Sequence, residues 1–145
     1  MRAWFAIFVF VFLSTLCFAA HDETFEALVK QADAAKLRDQ PVLYVKIAES
    51  QLKATDAFYT DGKYDDARSA LANIVRYSDK SSDAAIRSGK KLKETEITIR
   101  KIADKLRDIK RSVEFDEQAP IQDAIDHLEQ YRTQILSRMF RKGQK

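Results

Sequence analysis

Apolar residues recur along most of this chain at intervals of three and four positions, which is the spacing of an amphipathic α-helix. Five segments carry the pattern, and stretches with Pro, Gly or clustered polar residues separate them. The pattern predicts helices over about 22–38, 41–60, from 64 to a serine-rich stretch at 78, over 83–113, and from 120 to the C-terminus. Only 3 Gly and 2 Pro occur, too few for the many turns of a β protein, so the predicted class is all-α.

Turn-forming residues mark the boundaries of the predicted helices. Pro41 suits the first position of the second helix, and Pro120 is placed in the first turn of the last one, because Pro is tolerated there and not in a helix interior. Gly62 follows the second helix, where a left-handed residue commonly ends a helix. Residues 58–71 are therefore predicted to form the corner of a helical hairpin, with the third helix starting near Tyr64.

The stretch from Ser78 to Asp83 interrupts the apolar pattern with three serines and two aspartates. Both residue types favour caps and turns over helix interiors, because their side chains bond to nearby backbone groups. A break is predicted here, with Ser82 as the N-cap of the next helix. The alternative is a single helix over 64–113, about 75 Å long by the rise per residue, which only a protruding rod would need.

The last two predicted helices carry matching apolar stripes. Apolar residues repeat every seven positions at Leu92, Ile99, Leu106 and Val113, with Thr95, Ile102 and Ile109 on the companion position. The final helix repeats the spacing at Ile121, Leu128 and Ile135. Two matched stripes joined by a short connection predict a long antiparallel hairpin. Residues 141–145, at its end, are expected to form a frayed basic tail.

The N-terminus has the layout of a secretory signal peptide over residues 1–20. A positively charged start precedes the apolar run Ala3–Leu16, and cleavage is expected after Ala19 or Ala20. An uncleaved anchor is the alternative, since about eighteen apolar residues lie at the short edge of what spans a bilayer. In both cases residues 21–145 are expected to form one helical domain outside the cytoplasm, periplasmic or secreted. Membrane attachment is expected only for the uncleaved form.

Residue types that carry catalysis or bind metals are scarce. Cys17 is the only cysteine, so the exported form would have no disulfide, thiolate metal site or cysteine nucleophile. His21 and His127 stand far apart in the sequence, whereas zinc and haem sites need several ligands at set spacings. An amino-terminal His21 could chelate copper, but an exposed chain start explains it better. Acidic pairs such as Asp65 and Asp66 are best explained as partners of a helix dipole. No catalytic residue, cofactor or metal is predicted, and the protein is not expected to be an enzyme.

Charge is distributed unevenly along the chain. Residues 21–66 hold 10 acids and 6 bases, whereas residues 87–111 hold 10 bases and 4 acids. The basic segment is interpreted either as a contact surface for an anionic partner or as a solvated helix with internal ion pairs. Nucleic acid is not expected, because no aromatic residues interleave with these bases. The candidate contact residues are Arg87, Lys90, Lys91, Arg100, Lys101 and Lys105.

The corner at Gly62 resembles a tetratricopeptide repeat, a helical hairpin that stacks in arrays. The repeat pattern has small residues, aromatic residues and a Gly at the turn. This chain matches those positions with Ala57, Phe58, Gly62, Tyr64, Ala67 and Leu71. The resemblance covers one unit, about residues 48–80. About 34 residues further on, Glu96 and Lys101 stand where the next turn Gly and helix Ala belong. The resemblance implies a structural turn at Gly62, Tyr64 and Ala67 and a role in protein–protein contact, but one unit does not build the family's concave groove.

Together these patterns indicate an exported, non-enzymatic helical protein of the bacterial envelope. It is expected to act as a protein–protein interaction module or a structural module. The expected partner is a protein, either a second copy of the chain or another envelope component. A small-ligand-binding or metal-binding helical bundle is the alternative function.

Overall fold

A computed structural model describes residues 19–142 of the chain, with side chains from residue 25 to residue 141. The predicted signal peptide lies outside these residues except for Ala19 and Ala20. Five helices and no strand make up the described part: α1 (Ala19–Ala34), α2 (Gln40–Thr60), α3 (Tyr64–Ser88), α4 (Leu92–Ser112) and α5 (Phe115–Lys142). The prediction of an all-α fold is confirmed. None of these helices is long and apolar enough to cross a membrane.

Helices α2 and α3 form the first antiparallel hairpin. Asn73 donates a hydrogen bond to Gln51 near its middle at 3.2 Å, and Ser81 donates one to the carbonyl of Pro41 near its open end at 2.7 Å. At the corner Gly62 has a φ of 71°, a left-handed conformation that residues with a Cβ adopt at a cost.

Helices α4 and α5 form the second antiparallel hairpin, as the matching stripes predict. Lys110 bonds to Gln122 at 2.7 Å near the corner, and Arg132 bonds to Glu96 at 2.8 Å towards the open end. The heptad residues of both helices are buried: Leu92, Thr95, Ile99, Ile102, Leu106, Ile109, Ile121, Leu128 and Ile135. Val113, the last residue of the predicted stripe, is only half-buried because it lies in the turn.

The two hairpins stack side by side into a four-helix bundle. Helix α3 runs parallel to α5, with Arg68 paired to Glu117 at one end and Arg138 bonded to the carbonyl of Ile86 at the other. Helix α2 lies beside α4, while α2 and α5 are diagonally opposed. Because parallel helices begin at the same end, the corner of each hairpin lies at one end of the bundle. The turn between α3 and α4 lies at the opposite end.

The predicted helix break at Ser78–Asp83 is wrong, and so is the alternative of an unbroken helix over 64–113. Helix α3 continues through the serines to Ser88, and the turn follows at 89–91, where Gly89 and Lys91 have φ values of 64° and 61°. Three of these residues, Ser78, Ser81 and Ser82, are buried against neighbouring helices. Their small size lets the helices approach closely, so burial overrides their preference for caps.

Two other predicted boundaries also differ. Helix α1 ends at Ala34, before the predicted limit of 38. Helix α5 begins at Phe115, so Pro120 lies inside the helix and not in its first turn. A Pro there removes only one backbone hydrogen bond, and Ile121 directly after it is fully buried, which supports the helix around it. Of the predicted frayed tail, residues 141 and 142 are helical, and residues 143–145 lie outside the described part.

Two polar contacts and one aromatic contact connect helix α1 to the first hairpin. The Tyr44 hydroxyl donates to the Asp33 carboxylate at 2.6 Å, and Lys80 pairs with the same carboxylate at 3.2 Å. Phe25 packs edge-on against Tyr77, with 5.9 Å between ring centroids. The hydrogen bond from Tyr44, together with Lys80, lowers the pKa of Asp33, whereas burial and the bond to Asp33 raise the pKa of Tyr44 to about 12.

The buried serines of α3 provide a matched pair of stability variants. Ser81→Ala removes the hydrogen bond to Pro41, so we expect it to lower the free energy of unfolding by about 1 kcal/mol. Ser82→Ala removes a buried hydroxyl that has no hydrogen-bond partner, so we expect a change within about 0.5 kcal/mol or a gain in stability. Urea unfolding of both variants measures the difference, and equal effects would contradict this assignment of roles.

Asp33 should make the stability depend on acid pH. A carboxyl whose pKa is lower in the folded state stabilises the fold above its unfolded pKa, and this contribution is lost as the pH falls through the folded pKa. The Asp33 side chain is 49% exposed, so solvent screening limits the effect to at most about 1 kcal/mol. Unfolding curves of the wild type and Asp33→Asn should differ at pH 6, and the difference should shrink as the pH falls below the ordinary carboxyl pKa of about 3.9. A difference that persists in acid would contradict this.

Candidate functional site at the corner end of the bundle

The described residues contain no group of three or more His, Cys, Asp or Glu that could hold a metal ion. His127 is exposed on α5, where its ring stacks on Tyr131 with 6.4 Å between centroids. Met139, half-buried further along the same helix, packs against the edge of the core. Asp65 and Asp66 are exposed in the first turn of α3. These residues therefore lie apart from one another on the described part of the molecule.

The six candidate contact residues are spread along the molecule and do not form one compact patch. Arg87, Lys90 and Lys91 lie at the turn between α3 and α4, Arg100 and Lys101 lie on the exposed side of α4, and Lys105 lies against α2. Three of them are neutralised by ion pairs: Arg87 with Asp83, Lys91 with Glu94 and Lys105 with Asp56. The other three make no ion pair with any residue whose side chain is described.

The corners of the two hairpins enclose a cleft of about 310 Å³. Its walls are the end of α2, the start of α3 and the turn between α4 and α5. It is lined by Asp56, Tyr59, Thr60, Tyr64, Ser112, Val113 and Glu114. Tyr59 and Tyr64 stand side by side, with 6.2 Å between ring centroids. The cleft thus combines two aromatic rings with two carboxylates.

A partly buried ion pair lies behind the wall of this cleft. Arg68 on α3 donates to the Glu117 carboxylate on α5 at 2.5 Å, and the Glu117 side chain is only 7% exposed. The bond to Glu117 raises the pKa of the Arg68 guanidinium. Since Arg68 and Glu117 lie near the starts of α3 and α5, the pair links the two helices at the end where both corners lie.

Two polar atoms beside the ion pair remain without a hydrogen-bond partner. They are the hydroxyl of Tyr59 and the second carboxylate oxygen of Glu117, and both are buried. Burial, reinforced by the charge of Glu117, raises the pKa of Tyr59, so the phenol keeps its proton at neutral pH. Unpaired buried polar atoms are uncommon in native proteins. The Tyr59 hydroxyl and the Glu117 oxygen lie in and beside the cleft, next to the ion pair between Arg68 and Glu117.

The cleft is chemically suited to a cationic side chain. Aromatic faces attract cations and cover the methylene groups of Lys or Arg, and carboxylates accept charge-assisted hydrogen bonds from them. The carboxylate of Asp56 forms an ion pair with Lys105, with 3.4 Å between Oδ2 and Nζ. Glu114 forms no ion pair with any described side chain. Glu114 is therefore the carboxylate with the most capacity for a partner.

Each end of the bundle carries one exposed phenylalanine. Phe115 is the residue after Glu114 of the cleft, and its side chain is 84% exposed. Phe140, at the far end of α5, is 73% exposed. We call the end with Phe115 the cleft end and the end with Phe140 the basic end. Next to Phe140 a groove of about 420 Å³ opens between α3 and α5, lined by Ile86, Thr133, Gln134, Ser137, Arg138 and Arg141.

The sequence patterns did not reveal the cleft. Gly62, Tyr64 and Ala67 were identified as the corner, and they lie there, with Ala67 fully buried between helices. Asp56, Tyr59 and Glu117 were assigned no functional role. The sequence signal that pointed to this end of the molecule was Phe115, a large apolar residue among acidic residues in a predicted connection.

No protein-family model matches this chain, and no curated protein and no solved structure shows significant similarity to it.

The ion pair behind the cleft gives a test of its structural role. Arg68→Ala leaves the buried Glu117 without its cation, so we expect a lower thermal midpoint of unfolding. Adding Glu117→Leu to that variant removes the unpaired charge and should raise the midpoint again. Calorimetry of the two single variants and the double variant measures the coupling. Additive effects of the two substitutions would contradict a direct pair.

Proposed function

We propose that this protein is an exported, non-enzymatic helical module of the bacterial envelope that acts by binding another protein chain, and that the cleft end is its main docking surface. The observation that carries the proposal is the cleft itself, with two aromatic rings and two carboxylates beside the exposed ring of Phe115. Aromatic residues are enriched at the centres of protein interfaces, where they supply a large contact area at a low entropic cost.

The chemistry of the cleft indicates what the partner presents. A Lys or Arg side chain would place its methylene groups against Tyr59 and Tyr64 and its charge near Glu114. A neighbouring apolar group of the partner would cover Phe115. The partner is therefore a protein surface that carries a cation beside an apolar residue.

Two features of the sequence support the two parts of this proposal, protein binding and export. The corner resembles a tetratricopeptide repeat over about residues 48–80, and repeats of that family mediate protein–protein contacts. The predicted signal peptide over 1–20 places the folded part outside the cytoplasm, or anchors it there if uncleaved. The exported form would contain no cysteine, so its stability there rests on packing alone.

A small-ligand-binding bundle is the second candidate function. The same cleft favours it, because an organic cation of low molecular weight would use the same rings and carboxylates. The two candidates differ in the exposed ring of Phe115, which lies outside the cleft. Only a partner larger than the cleft would cover it.

Site-specific photo-crosslinking in the producing cells tests the proposal. A photoreactive phenylalanine analogue replaces Tyr64, which is 36% exposed at the cleft, and in a separate variant replaces Gln130, an exposed residue midway along α5. We expect a discrete protein adduct from position 64 and none from position 130. Phe115→Ser in the position-64 variant should lower the adduct yield at least about tenfold, as expected for an aromatic residue central to an interface.

The outcome also separates the two candidates. A protein adduct that depends on Phe115 supports the proposal, whether the captured chain is a second copy or a different protein. If position 64 yields no protein adduct, or yields the same adducts as position 130, the docking surface is not the cleft end and the proposal fails.

A further inference from the structure

We infer that the partner of the cleft end is the basic end of a second copy of this chain, so that the protein associates head to tail. The inference rests on the proposed function, because it identifies the protein that the cleft binds. It follows from three properties of the two ends: their charge, their shape and their exposed rings.

The two ends carry opposite charge. The segments 61–66 and 113–116 at the cleft end hold five carboxylates and one lysine. The segments 87–93 and 138–141 at the basic end hold six lysines and arginines. Arg87 and Lys91 are paired with Asp83 and Glu94, so four cations at this end have no ion pair with a described side chain.

At the cleft end Arg111 pairs with Asp108 and Asp65 with Arg68, while Lys110 donates to the neutral Gln122 and keeps its charge. Carboxylates without an ion pair still outnumber such cations there. Opposite charge favours contact between unlike ends and opposes contact between like ends.

The shapes of the two ends are also complementary. Phe115 projects from the cleft end, and the groove at the basic end has the half-buried side chain of Ile86 in its wall. In the other direction, the basic end offers exposed Arg141 beside Phe140, the combination of cation and apolar group that the cleft accepts. Each end therefore supplies both a projecting side chain and a site that receives one.

Such an interface joins two different surfaces, which makes it heterologous. Each copy in a head-to-tail pair leaves one cleft end and one basic end free, so association continues into chains unless a ring closes. The end of a four-helix bundle is roughly 20 Å across, given helix diameters of about 10 Å, and offers roughly 400 Å² to a partner. The total is at the small end of protein interfaces, so the association is weak and depends on concentration.

Sedimentation equilibrium of the protein, purified in the form that its host exports, tests the inference. We expect the average mass to rise continuously with concentration up to about 1 mM and to fall when salt is added, because salt screens the contacts between the ends. Phe115→Ser inactivates only the cleft end and Phe140→Ser only the basic end, so each variant alone should remain monomeric at these concentrations.

Mixing the two variants provides the decisive measurement. The Phe140→Ser variant keeps an intact cleft end and the Phe115→Ser variant an intact basic end, so an equimolar mixture should form one-to-one dimers and nothing larger. Gln130→Ser, on the side of the bundle, is the matched control and should associate like the wild type. Far-ultraviolet circular dichroism confirms that each variant is folded, as expected for substitutions of exposed side chains.

Three results would overturn the inference: a wild type that stays monomeric at every concentration, a mixture that forms no dimer, or a single variant that still dimerises. The last would indicate a symmetric interface. Failure here is distinguishable from failure of the proposed function. A monomeric protein that still gives a Phe115-dependent crosslink to a different protein retains the proposed function and loses only the second copy as its partner.

Discussion

Close packing around α3 is the constraint on which the bundle depends. This helix contacts α2, α4 and α5, and its Tyr77 and Lys80 side chains also reach α1. The contact surfaces of α3 are built largely from small residues: Ala67, Ala70, Ser78, Ser81, Ser82, Ala84 and Ala85. Neighbouring helices can therefore approach α3 closely, and larger side chains there would overpack the core. The larger apolar residues are concentrated between α4 and α5, where the heptad stripes interdigitate.

The arrangement around α3 also determines where functional chemistry can occur. Because α5 runs parallel to α3, the corners of both hairpins meet at one end, where the Arg68–Glu117 pair links the two helices. The cleft is a consequence of this stacking, since one hairpin alone would leave Tyr59 and Tyr64 facing solvent. The same stacking collects the cations of the α3–α4 turn and the C-terminal part of α5 at the other end. The polarity of the molecule thus arises from helix direction together with the placement of charge along the sequence.

The predictable and unpredictable parts of this structure differ in their physical basis. Pro41 and Gly62 mark helix boundaries correctly, because their effect on the backbone is local. Pro120 does not mark one, since helix α5 continues through it beside the buried Ile121. The serines at 78–83 were misread, since their local preference for caps gave way to burial against α2, which no local pattern encodes. Glu117 could not be recognised as a paired residue, because its partner Arg68 lies 49 positions away in the sequence. The cleft depends on such distant pairs, so it became visible only in three dimensions.

The shortness of the turns has a consequence for how the molecule forms. Two or three residues connect the helices within the bundle, as at 61–63, 89–91 and 113–114. Each hairpin can therefore assemble from segments adjacent in sequence, and most native contacts close only small loops. Proteins with such local contacts fold quickly, because little chain entropy is lost before the contacts form. Rapid pairing of the helices shortens the time for which the apolar stripes of the unfolded chain are exposed to other molecules.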